Sequence, residues 1–361
     1  MITLVRDAST LRMTSDRPPL PAKQVNSGGS CSGSGKNDDV VLRSTGNRAS
    51  RSSRSSVSSL TSKDMLSRQL STFRTTTMRG AIRLEDLAQY IQSKRHSNNG
   101  SSSNNNSNNS NNTFKAEFAE LPHGQISDWA VGTRPENHYK NRYMNAIPYD
   151  NNCVTLQSNN NGYINASFID GYNEPKAFIA TQAPKEKTVM DFWQMVWQER
   201  AVAIIMLTNL TENGKAKCSQ YWPEDTVQIG ELEVSLMARE ELPDTTVRTF
   251  TIVKRCQRQS ASHLVMHYHY HEWPDHGVPD DSGPLVDVIA HIREDVRVKR
   301  MVGPWVVHCS AGIGRTGTFI ALDSMLEQAR SEYAINIFTF VQRMRKQRIS
   351  MVQTQVDESA K

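Results

Sequence analysis

In the stretch "PWVVHCSAGIGRTGTF", Pro304 to Phe319, a thiol and a guanidinium, Cys309 and Arg315, stand six positions apart across a run of small residues. Three chemistries compete for that spacing. The run Gly312-Ile-Gly314-Arg-Thr-Gly317 is a literal match to the glycine pattern of dinucleotide-binding turns. A structural cysteine is the second reading, because free cysteine behaves as a small, commonly buried hydrophobe. The third is a nucleophile aimed at an anion. If "WVVH" is a buried strand and "TGTFIALDSMLEQARSE" the helix after it, the small residues make a tight turn at a helix N-terminus. Unpaired backbone N–H groups converge there and favour a phosphate. Arg315 would add a bidentate pair of charge-assisted hydrogen bonds, and the same field favours the thiolate of Cys309.

Context separates the three. A dinucleotide turn wants an acidic residue at the end of the next strand, whereas Glu332 precedes the apolar "AINIF". The match also lies near the C-terminus, and Arg315 inside the turn would crowd a pyrophosphate. A Walker-type loop would end in Gly-Lys-Ser/Thr, which is absent here. An inert cysteine has no use for an arginine and three glycines. A phosphate-attacking cysteine remains.

A second constellation lies upstream in "SHLVMHYHYHEW", where His263, His267, His269 and His271 share one face of a strand and Leu264, Met266, Tyr268 and Tyr270 the other. His-x-His-x-His on a strand can bind zinc; the competing expectation is a strand with one wet face. The block runs into "WPDHGVP", two prolines and a glycine around Asp275 and the chemistry of a loop that carries a charge.

The elements that must position these groups are those of a mixed α/β domain. From about Asn141, "YINASFI", "AFIAT", "AVAIIMLTN", "LEVSLM" and "TFTIVK" have strand character, with "TVMDFWQMVWQE" helical among them. Upstream, "AIRLEDLAQYIQSKR" places Ile82, Leu84, Leu87 and Ile91 roughly on one helical face, which predicts a docking helix over 81–97. The Asn/Ser-rich tract 98–113 has nothing to pack and reads as a low-complexity loop; Phe114, Phe118 and Leu121 then restart a helical period.

Residues 1–80 carry thirteen Lys and Arg against five Asp and Glu, while the 361-residue chain nets only +5, so the remainder is slightly acidic. That Ser/Arg-rich tail cannot bury enough apolar surface to offset its ordering entropy and is predicted to be disordered. Its Arg-x-x-Ser spacings suit basic-directed kinases or phospho-dependent adaptors, although serine-rich segments produce such spacings by chance. The longest apolar run, "AVAIIML", is far short of a membrane span. Five scattered cysteines without metal-ligand spacing suit a reducing cytoplasm.

His-Cys-x5-Arg followed by Ser/Thr resembles the signature loop of the protein tyrosine phosphatases. "KNRYMNAIPYD", "YINASFIDGY", "FIATQAP", "DFWQMVW", "KCSQYWP", "WPDHGVP" and "VVHCSAGIGRTGTF" are similar to that family's blocks in their usual order, from about Phe114 to Gln353. The helix near Leu84 resembles the segment before the first catalytic domain of receptor-type members. The resemblance implies a single α/β domain over 114–361, a twisted mixed sheet flanked by helices. It implies hydrolysis of phosphotyrosine in proteins through a phosphocysteine, with no metal, no cofactor and no nucleic-acid partner.

Roles follow from the resemblance residue by residue. Cys309 attacks phosphorus while Arg315 and the amides of Ser310, Ala311, Gly312, Ile313 and Gly314 hold the oxygens. His308 and Thr316 tune the thiolate. Asp275 protonates the leaving phenolate and then activates the water that Gln353 orients. Tyr143 walls the pocket with Asn145 beside it, and Glu212 with Lys217 steadies Arg315; a solvated surface pair is the competing reading of those last two. Two departures stand out. His276 replaces the aromatic residue usual after the acid, and where the family continues after its first glutamine with a second glutamine, an aromatic residue and a closing helix, "VQTQVDESAK" stops. That ending predicts a poorly stable form with weak activity, or a form that binds phosphotyrosine without turning it over.

Overall fold

Along the segment Trp305–His308 successive side chains go to opposite faces of a sheet, and both faces are apolar. Val306 joins a core with Phe192, Trp193 and Phe250, while Trp305 and Val307 join another with Leu285, Phe319 and Phe340. A strand buried on both sides belongs in the middle of a sheet with helices above and below. The computed structural model places it there. It describes residues 80–96, 113–157, 161–256, 259–274, 277, 281 and 283–354. The basic tail, most of the Asn/Ser tract, Asp275 with His276, and residues 355–361 lie outside them, and with them the expectations attached to those segments.

In chain order the elements are β1 (Ile82–Arg83), α1 (Leu87–His96), α2 (Phe114–Ala119), β2 (Cys153–Thr155), β3 (Tyr163–Ile169), β4 (Phe178–Thr181), α3 (Val189–Gln198) and β5 (Ala203–Met206). They continue with β6 (Thr211–Glu212), β7 (Lys215–Ala216), β8 (Thr226–Ile229), β9 (Leu232–Glu241), β10 (Thr245–Cys256) and β11 (Gln259–Tyr270). The last are α4 (Gly283–Val298), β12 (Trp305–His308), α5 (Gly314–Glu332), β13 (Ala334–Ile335) and α6 (Ile337–Gln347).

Nine strands form one mixed sheet in the order β2-β3-β4-β12-β5-β11-β10-β9-β8. The four central strands β4, β12, β5 and β11 run parallel, and the flanks are antiparallel. The fold is therefore α/β, a large mixed sheet flanked by helices. β12, late in the chain, is inserted between β4 and β5, so the loop after it opens at the carboxyl end of the sheet's centre, where ligands of α/β sheets bind.

Three expectations are corrected. The histidine face of β11 is not wet: His263, His267 and His269 are all buried, because β11 lies inside the sheet between β5 and β10 and aromatic side chains cover that face. Each histidine instead has a hydrogen-bond partner, Ala201 O for His263, Tyr221 Oη for His267 and Thr208 O for His269. The helix expected over 81–97 begins only at Leu87, because Ile82 and Arg83 form β1 and pair with β13, just before α6 with its cap Asn336 accepting from Thr339 N. Helix α5 begins at Gly314, two residues early, so Arg315 belongs to its first turn.

α1 packs into the same core as the central sheet through Leu87 and Ile91, with Ile82 and Leu84 against it. Thr113 caps α2 by accepting from Ala116 N at 3.1 Å. Among the described residues no helix is long and apolar enough to cross a membrane.

Candidate active site

Cys309 leaves β12 with its sulfur almost buried, and the N–H of Gly312 donates to Sγ at 3.3 Å. The turn can close this tightly because Gly312 sits at φ +71° and a Cβ there would lie 2.2 Å from Thr181 O. Its carbonyls face outward and are held. The guanidinium of Arg348, fully buried, donates to Gly312 O (2.8 Å) and Ala311 O (3.1 Å) with one edge, and to Asn165 Oδ1 and Ser167 Oγ with the other. Ala183 N also donates to Ser310 O at 3.0 Å. Fixing carbonyls outward turns the amides inward, which makes the loop an anion cradle at the head of α5. Burial lowers Arg348 to about 10, still a cation at neutral pH.

Arg315 is clamped. Its Nη1 and Nη2 donate to the two oxygens of Glu212 at 2.6 and 3.0 Å, and to Leu207 O and Pro274 O at 3.0 Å each. Glu212 is itself buried and also accepts from Thr208 Oγ1 and Asn209 N, with Lys217 Nζ 3.8 Å away. The pair is thus no solvated surface contact. An oxyanion held by Arg315 must share or replace bonds of this fork. Pro274, which immediately precedes Asp275 in the sequence, is thus in contact with the guanidinium.

Behind the sulfur, His308 Nδ1 faces Cys309 O at 3.3 Å. A carbonyl only accepts, so Nδ1 carries the proton, Nε2 accepts from Tyr221 Oη (2.8 Å), and Tyr221 accepts in turn from His267 Nε2 (2.8 Å). Burial drives His308 down to about 4 and His267 well below its usual range, so both imidazoles are neutral. Thr316 Oγ1 is buried and has no hydrogen-bond partner among the described residues. The other described free cysteines, Cys153 and Cys218, are each pushed up to about 12 by burial and stay protonated thiols.

The mouth is shaped by Tyr143, 39% exposed, whose hydroxyl hydrogen-bonds Ser310 Oγ at 2.9 Å. Arg142 anchors that segment on Gln182 Oε1, Ala183 O and Pro184 O, and Asn145 follows, exposed. Gln353 lies across the head of α5, its Oε1 3.4 Å from where a Cβ on Gly314 would stand. Cys309, Ser310, Ala311, Gly312, Ile313, Gly314, Arg315, Glu212, Lys217, Tyr143 and Gln353 therefore gather at one place, while Asp275 lies outside the described residues. Sequence reasoning missed Arg348, Tyr221 and Gln182. Polarity argues against burial for all three, and nothing in their spacing shows that the loop's carbonyls need donors.

A family model described as protein-tyrosine phosphatase matches residues 137–357. The chain belongs to that family. Among curated relatives, this phosphatase-family chain is 45% identical over 235 residues to receptor-type tyrosine-protein phosphatase zeta of Rattus norvegicus, covering 61% of this chain and 10% of the relative. It is 39% identical over 287 residues to tyrosine-protein phosphatase Lar-like of Caenorhabditis elegans (78% and 12%). To tyrosine-protein phosphatase 99A of Drosophila melanogaster it is 42% identical over 255 residues (67% and 19%). The phosphatase domain is thus receptor-type-like, and the chain spans between a tenth and a fifth of the length of these relatives.

Proposed function

We propose that this chain hydrolyses phosphotyrosine in proteins through a phosphocysteine. The observation that carries the reading is the meeting of Cys309 Sγ, the Gly312 N–H and the Glu212-clamped Arg315 at the head of α5. In the first step the sulfur forms an S–P bond as the P–O bond to the phenol breaks. Loop amides and Arg315 take the charge gathering on the equatorial oxygens, and Asp275 gives its proton to the phenolate. In the second, water attacks phosphorus, its proton passes to the Asp275 carboxylate, and the S–P pair returns to Cys309. Gln353 orients the water. Tyr143 offers a ring face for the substrate phenol, and a pocket as deep as a phenol is long excludes phosphoserine.

Phosphate release from phosphotyrosine peptides tests this directly. Wild-type chain should turn over, and Cys309→Ser should lose turnover yet still bind the phosphopeptide, because cradle and guanidinium are untouched. Binding by both without turnover by either would replace the enzyme with a phosphotyrosine-binding module.

A further inference from the structure

Arg345, on the last turn of α6, is only 3% exposed, and every hydrogen bond it makes here goes to a backbone carbonyl. Its Nε donates to Met351 O (3.0 Å), Nη2 to Val352 O (2.8 Å) and Nη1 to Pro122 O (2.9 Å), while the guanidinium lies 4.9 Å from the centre of the Phe118 ring. A cation buried against neutral dipoles is expensive, and an apolar residue of similar volume would serve packing as well. What the fork holds is therefore informative.

It holds a strained segment. Val352 has φ +58°, a left-handed conformation that a β-branched residue almost never adopts, and Ser350 two residues earlier has φ +51°. Strain of this kind persists only where surrounding contacts over-determine it, and it collects at functional sites. Here the contacts come from both sides. The N–H of Val352 donates to Ile313 O of the Cys309 loop at 3.0 Å, and the segment presses so closely on α5 that a Cβ on Gly317 would lie 2.4 Å from Val352 N. The residue after Val352 is Gln353, lying over Gly314.

We propose that Arg345 is a positioning residue for the water-attack step. By gripping Met351 O and Val352 O it keeps Val352 left-handed and so aims the Gln353 amide at the Cys309 loop, and through Phe118 and Pro122 it makes that aim depend on the α2 segment. The proposal rests on the phosphocysteine reading and concerns only its second half, where water forms the O–P bond as the S–P bond breaks. Among the described residues the hydrogen bonds of Arg345 go to Met351, Val352 and Pro122 and none goes to Cys309, so the proposal leaves formation of the phosphocysteine independent of it. Helix α2 is in turn tied to α1, since Tyr90 Oη donates to a Glu117 carboxylate oxygen at 2.7 Å and Lys94 pairs with it at 3.2 Å. The elements upstream of the main sheet are thereby in mechanical contact with the group that orients water.

Rapid-quench kinetics on the full chain with p-nitrophenyl phosphate separates the two steps, the nitrophenol burst reporting phosphocysteine formation and decay of acid-trapped phosphoenzyme reporting hydrolysis. In Arg345→Met the burst rate should stay within about twofold of wild type while phosphoenzyme decay slows on the order of ten- to a hundredfold, the scale of a misplaced reacting group. Phosphoenzyme should accordingly fill more of the enzyme at steady state. Arg345→Lys keeps stem and charge but not the fork, and should slow decay by less; if the Met variant does not fold, the Lys variant decides alone. Proportional slowing of both steps, or no change in decay, would overturn the assignment while leaving the phosphatase reading standing. A wild-type chain that releases no nitrophenol would overturn that reading and this proposal together.

Discussion

Glu212 illustrates how far a residue's role depends on what surrounds it. As a solvated carboxylate beside Lys217 it would contribute little; buried and bidentate to Arg315 it fixes the plane of the guanidinium in the first turn of α5, beside the Cys309 loop. The same logic assigns work to Asp275, whose neighbour Pro274 accepts from Arg315. Asp275→Ala should cut turnover of phosphotyrosine peptides by about 100- to 10,000-fold, the usual worth of a general acid, and much less for an aryl phosphate whose phenol is already acidic. Comparing kcat on the two substrates checks this, and equal losses would move the acid elsewhere.

At the scale of elements, β11 and the loop after β12 each carry a prediction. Burial lowers His308 to about 4 and His269 to about 3, whereas an unfolded histidine titrates near 6.5. Below about pH 6.5 the unfolded chain therefore binds protons that the fold refuses. This contribution to stability is intact above that pH, is lost as pH falls, and levels off near 4 for His308 and near 3 for His269. Together the two cost on the order of 3–4 kcal/mol by pH 5. Urea midpoints at pH 7 and pH 5 should show the fall; because burial keeps His267 neutral as well, His269→Gln should remove about a third of it at most, and an unchanged slope in the variant would refute the assignment. The loop after β12 is as sensitive to a single methyl. Gly312→Ala places a Cβ 2.2 Å from Thr181 O at a left-handed φ, which should cost about 1–3 kcal/mol and pull the amide from Cys309 Sγ. A thermal melt and a turnover assay on that variant should fall together.

Over the whole molecule, α1 behaves as part of the domain, because Leu87 and Ile91 are buried in the core that holds Cys309, Phe319 and Met351. Leu87→Ala should lower global stability by about 2–5 kcal/mol, seen as one cooperative shift in the urea midpoint, whereas a helix docked independently would leave the main transition unmoved. The sequence by itself determined the turn that carries Cys309 and Arg315 and much of the sheet. A cysteine, an arginine and small residues between a short apolar strand and a helix have few other uses, and β3, β4, β5, β10 and β12 are apolar enough to be recognised from local pattern. Only the tertiary structure decided which polar side chains go inside. Arg345, Arg348 and His267 look like surface residues, and their burial draws on distant carbonyls and hydroxyls that the fold brings within reach, Pro122 O for Arg345, Gly312 O and Ala311 O for Arg348 and Tyr221 Oη for His267. It also decided that the strand latest in the main sheet takes the centre, and that Val352 is left-handed. Local pattern records a residue's preference for water, while hydrogen-bond partners tens to hundreds of positions away set whether burial is tolerated.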